Sequence, residues 1–267
     1  MRGAIRIVIG LALAATVTHY VAGVAGGGTP SLPGVLFTVI TLAAGGWLAT
    51  AAETRRIGLV FVGSGVLGSI EPVLRLWTKI GFSIPDLGND IRFDTWLTHW
   101  LRVPQALLVV LIALALYPDG RVRLRVALWF SVAATGATSV AVATHNWPRG
   151  DGGAGANPLA LPWDVAWLVQ LGAYVLAAVA LLIVLTSVGL RRRTEDRSTR
   201  WVLLIPFAAS VVVLVWLLSH DALPYEARDS EWILIALVCA WTVGLTAIRR
   251  RVARGRSPAA TVSADGE

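Results

Sequence analysis

Glu71 and Arg75 stand four residues apart in a largely apolar run, acid first, the order and spacing that let a carboxylate and a guanidinium meet on one helix face. A second cation, Arg102, interrupts another apolar run, with His99 and Gln105 three residues to either side. Ionisable groups inside a bilayer are costly, so they pair with one another or line a cavity. Counted from the inner ends of their runs, Glu71 lies 14 residues past Ile57 and Arg102 lies 15 before Tyr117. Both therefore fall about 21–22 Å from the same membrane boundary. The chemistry this allows is recognition of a polar or charged ligand in an outward-facing pocket made by Glu71, Arg75, His99, Arg102 and Gln105. A competing arrangement ends the helix near Pro72 and lets Arg102 snorkel to the headgroups along its aliphatic stem.

Other chemistries lack their parts. No Gly-x-Ser-x-Gly, His-Glu-x-x-His or phosphate-binding loop is present, so no catalytic residues are expected and the chain is read as a non-enzyme. The four histidines, His19, His99, His145 and His220, fall on the outer side or at outer helix ends, and none pairs with Asp90, Asp94 or Asp221 at a firm ligand spacing. No metal and no cofactor are expected. Cys239 is the single cysteine, which excludes an intrachain disulfide.

The elements that would hold these groups follow from composition. Of 267 residues, 56% are hydrophobic and only 15% charged. Mean hydropathy is +0.69. Soluble domains carry about 25% charged residues, so the chain is read as an all-α, polytopic membrane protein, with the lipid bilayer as its first partner. A net charge of +7 would also suit nucleic acid, but in a membrane protein excess Arg is chiefly a topology signal, and no nucleic-acid partner is expected. Apolar runs near 4–24, 34–52, 57–77, 96–117, 126–145, 163–190, 201–220 and 232–248 predict eight spanning helices. The first is expected to stay uncleaved, since Thr16, Thr18, His19 and Tyr20 break the run and no clean cleavage site follows.

Arg2, Arg6, Arg55, Arg56, Arg121, Arg123, Arg125, Arg191, Arg192, Arg193, Arg197, Arg200, Arg249, Arg250, Arg251, Arg254 and Arg256 all fall in the ends and every second connection, seventeen of the 23 Lys and Arg. The positive-inside rule then places both termini in the cytoplasm of a multi-pass protein. Residues 1–250 form the helical membrane domain, and 251–267 a polar, disordered cytoplasmic tail. Trp47, Trp129 and Trp201 near inner boundaries, and Trp77, Trp147, Trp163, Trp167 and Trp232 near outer ones, read as aromatic belts. Residues 91–102 have the spacing of an amphipathic interfacial helix, either a belt anchor or a lid over the pocket. Ser64 with Gly68, and Gly65 with Ser69, bring small residues to one helix face, where backbones can approach closely.

Pro118, Asp119, Gly120 and Arg121 form a tight cytoplasmic turn: Pro118 presets φ, Asp119 bonds nearby amides and Gly120 tolerates positive φ. The helix end Leu116-Tyr117-Pro118-Asp119-Gly120-Arg121 also resembles the Leu-Phe-Pro-Asp-Gly-Arg helix end in the membrane region of actinobacterial sensor histidine kinases. Three further pieces agree in order: Arg56-Ile57-Gly58-Leu59, Asn157-Pro158-Leu159-Ala160-Leu161-Pro162, and Arg193 to Leu204 with its Arg200-Trp201. The resemblance spans most of residues 45–250. It implies the sensory half of a two-component system, detecting an envelope or membrane signal. Members of that family continue into a phosphoacceptor helix and an ATP-binding domain, whereas only residues 249–267 follow the last predicted helix here. The expectation is a sensor module that relays its signal to a separate kinase or another membrane protein. The alternative is a small permease or transporter subunit, which would need polar groups through the full membrane depth.

Overall fold

Continuous apolar runs satisfy their backbone groups in a bilayer only as helices or closed barrels, and runs of this length select helices. In a computed structural model, residues 2–25, 32–52, 54–79, 100–101, 103–117, 125–145, 159–194, 235–236 and 238–246, with 204, 208 and 211, are described. Every regular element among them is helical: α1 (Arg2–Ala25), α2 (Leu32–Leu48), α3 (Arg55–Lys79), α4 (Val103–Leu116), α5 (Arg125–Thr144), α6 (Trp163–Thr194) and α7 (238–246). Three helices, Gly3–Ala25, Arg125–Thr144 and Trp163–Leu190, are long and apolar enough to cross a membrane; α2 and α4 are apolar but shorter. Large apolar side chains stand exposed along them, among them Leu11, Trp129 and Leu182, each more than 60% exposed. A surface of that kind is at rest only against lipid or another protein.

The α2–α3 hairpin is the tightest contact. A Cβ on Gly45 would lie 2.9 Å from the Gly58 carbonyl, and one on Gly58 would lie 2.7 Å from the Gly45 carbonyl. Only glycine lets two backbones approach this way. The predicted second span, 34–52, overran the helix. It stops at Leu48 because the Thr54 hydroxyl donates to the Leu48 carbonyl (2.7 Å) while the Thr54 carbonyl takes the Gly58 N–H (2.9 Å). One residue thus closes the end of α2 and opens α3, a capping role threonine fills well. At the other extreme, α6 continues past the predicted limit of residue 190 to Thr194, carrying Arg191–Arg193 within the helix.

α1, α2 and α3 pack mutually, α5 packs along α6, and α4 lies between the two groups against α3, α5 and α6. Val109, Val110, Leu111, Ala113 and Leu114 of α4 are all fully buried. A helix apolar on every side belongs at the centre of a bundle. It ends at Leu116, and Tyr117 is extended (φ −70°, ψ 144°), because a residue before proline is pushed out of the α region.

α5 and α6 meet through small residues, Ala127, Ala134 and Ala141 being buried on one and Ala166, Ala173, Ala177 and Ala180 on the other. The buried hydroxyls of Ser131, Thr135 and Thr138 donate to carbonyls four residues back in their own helix, at 2.7–2.8 Å. The apolar run 126–145 thus carries buried hydroxyls, but each of these is satisfied within the helix and offers no polar track.

Candidate functional site

Gln105 lies near the N-terminal end of α4, and the small residues of α3 make room for it. A Cβ on Gly68 would overlap the Gln105 amide and lie 2.5 Å from Thr38 Oγ1, so the bare Gly68 backbone is the floor on which α2 and α4 meet. Gln105 Nε2 points at Thr38 Oγ1 from 3.5 Å, at the long limit of a hydrogen bond. Ser64 Oγ, fully buried, donates to the Gln105 backbone carbonyl at 2.7 Å. Thr41 Oγ1, one turn along α2 from Thr38, is buried with no partner. Three helices are therefore tied by polar groups inside an apolar surround, where water cannot compete for them. Removing the Ser64 hydroxyl is expected to lower stability by about 1 kcal/mol, the net value of one such bond. Thermal unfolding of Ser64→Ala in detergent checks this; no loss would mean the Gln105 carbonyl is fully served by its own helix.

Three residues on from Gln105, Leu108–Ile112 form a π turn, closed by the Ala113 N–H on the Leu108 carbonyl. Single π turns inside α-helices add one residue to a turn and recur at functional sites. At the C-terminal end of the same helix, Tyr117 meets Trp241 of α7 edge to face, with ring centroids 4.8 Å apart and planes at 88°. Phe61 of α3 meets the same indole at 6.3 Å and 74°. All three rings are fully buried, and the Trp241 Nε1–H has no acceptor. α4 thus carries a polar tie at one end, an aromatic knot at the other and a π turn between.

Of the five pocket residues named from sequence, Gln105 is the one whose side chain is described, and it is buried against Gly68 and Thr38. Glu71 and Arg75 lie within α3, three and seven residues past Gly68. Their side chains, together with His99, Arg102 and the Pro118–Asp119–Gly120–Arg121 turn, lie outside the described residues. Sequence reasoning missed Thr38 and Trp241. Nothing local marks Thr38, since threonine in a membrane helix ordinarily bonds its own backbone. Trp241 was hidden by company: with twelve tryptophans in the chain, a belt position is the ordinary reading, and only its place mid-run, ten residues short of Arg251, hinted at the core. Among the described residues no group of three or more His, Cys, Asp and Glu is placed to hold a metal ion. Compared with known proteins, the chain matches no family model, no curated protein and no solved structure.

Proposed function

We propose that this chain is a membrane-embedded sensor and relay: eight spans, both termini cytoplasmic, resembling the sensory half of an actinobacterial histidine kinase. It would read an envelope or membrane signal at an outer polar pocket and pass it to a partner protein through the cytoplasmic loops and tail. The observation that supports this reading is α4 itself. It is buried within the protein along most of its length, carries the Gln105 tie near its start and the Tyr117–Trp241 knot at its end, and holds a π turn between them. Shifting that turn to α geometry removes its extra residue and rotates one end of the helix against the other. Packed interfaces convert such a change into one of two discrete arrangements. In sequence, Glu71 lies three residues past Gly68 and Arg102 three before Gln105, so a pocket including Arg75 and His99 would sit directly beyond the tie.

Two measurements test it. Topology reporters fused at Gly153 and Gly255 should report opposite sides of the membrane; the same side for both would sink the eight-span arrangement. Partner capture from native membranes should recover a kinase-domain protein or a response regulator with the full chain. Recovery of a nucleotide-hydrolysing transport subunit instead would favour the permease reading. Against that reading stand the self-satisfied hydroxyls of α5, which leave no polar track beside them.

A further inference from the structure

At the N-terminal end of α6, Trp163, Asp164, Trp167 and Leu168 line an open groove of about 410 Å³. Both indoles are more than half exposed, and Asp164 is exposed between them. The Trp163 ring is set by its neighbour: His145 lies against it, with ring centroids 5.7 Å apart, and the Leu161 N–H on the Thr144 carbonyl (3.0 Å) ties the ends of α5 and α6 together. Two indole faces beside a carboxylate are the chemistry of an organic ammonium, since tryptophan is the best aromatic partner for a cation. An anion is not favoured despite the helix terminus, because Asp164 already occupies the first turn, where it answers the positive end of the helix dipole.

The same helix continues as a track. Gln170, whose amide donates to Tyr174 Oη at 2.8 Å, lies six residues past Asp164, about 9 Å further into the membrane. Val175, Val179 and Leu182 beyond the pair are exposed and apolar. A carboxylate at headgroup depth, a polar pair about 9 Å below it and an apolar strip beyond repeat the order of ammonium, ester and acyl chain in an aminophospholipid.

We infer that the Trp163–Asp164–Trp167 groove binds the ammonium headgroup of an aminophospholipid, with the ester region against Gln170 and Tyr174. The inference rests on the membrane-protein reading but on neither sensing nor relay.

The full chain is first shown to stay in membranes under alkaline carbonate extraction; release there would fail the membrane reading itself. The extracted protein is then mixed in micelles with equimolar dioleoyl phosphatidylethanolamine and phosphatidylglycerol, and retained lipid is counted by native mass spectrometry. The wild type should retain the ethanolamine lipid about fivefold over the glycerol lipid, as one exposed ion pair plus cation–π contact allows. Asp164→Asn and Trp167→Leu should both bring the ratio to parity with unfolding temperatures within about 2–4 °C of the wild type, since both side chains are exposed and a charge at a helix terminus contributes little to stability. Excess glycerophosphoethanolamine, which has the headgroup without the chains, should leave the lipid bound; displacement at equal concentration would assign the ammonium site to a soluble compound and overturn the lipid. Parity in the wild type, or an unchanged preference in Asp164→Asn, would overturn the site.

Discussion

Trp241→Ala should lose about 3–5 kcal/mol of stability, the range for emptying a large aromatic position in a packed core. Trp241 is fully buried and is touched by Tyr117 and Phe61 from two different helices, so no single helix movement can fill the void. Trp241→Phe should behave in the opposite way. It keeps a ring for both edge-to-face contacts and removes an N–H that has no acceptor, and leaving such a donor buried costs about 1–3 kcal/mol. The phenylalanine variant should therefore lie within about 1 kcal/mol of the wild type or above it. Thermal unfolding in a single detergent checks both. If alanine and phenylalanine lose the same amount, the ring contacts contribute nothing and α7 is held elsewhere.

The second large effect is at Gly58. A Cβ there would meet the backbone of Ala49, the Gly45 carbonyl and, at 2.8 Å, the Leu48 carbonyl carbon. These atoms belong to the main chain of a closed hairpin and cannot rotate aside, so α2 and α3 must separate along their length. Overpacking of this kind costs about 1–3 kcal/mol, and Gly58→Ala should reach the top of that range. Gly63 is the internal control. It lies in the same helix with nothing within 4 Å of its would-be Cβ, so Gly63→Ala should be neutral or stabilise by up to about 1 kcal/mol through helix propensity alone. Gly68→Ala should fall between them, because the Gln105 amide it displaces is the movable end of a side chain. Equal changes at Gly58 and Gly63 would show that contact with α2 does not set Gly58 apart from the other glycines of α3.

The helices were legible because bilayer chemistry leaves a continuous apolar run little other choice. The described elements fall on six predicted runs and within the eighth, and the fourth run, stopping before Pro118, ended one residue past the end of α4 at Leu116. Boundaries went astray where a side chain, not composition, decides them. Thr54 reaching back to Leu48 shortens α2, and helical arginines lengthen α6. The small-residue spacing of Ser64 and Gly68 correctly marked a close approach, but nothing in it said that the visitor would be Gln105. The π turn was invisible, since Leu-Val-Val-Leu-Ile is an unremarkable apolar stretch and its geometry is a product of packing on all sides. Gln105 was named as a pocket residue because it is polar and lies three positions from Arg102. Its actual neighbours, Thr38 and Gly68, come from helices far away in sequence, and no local rule supplies that pairing.

The lengths of the helices have a mechanical consequence. α4 has 14 residues, about 21 Å, and its buried stretch meets protein, whereas the apolar part of α6 has 28 residues, about 42 Å, with one face outward. A hydrocarbon core is about 30 Å thick, so a helix of that length would cross it with a tilt, a kink or ends standing among the headgroups. α4 has no such obligation. In a bilayer, a change of thickness would therefore bear on α6 before α4, at the face where the two helices meet.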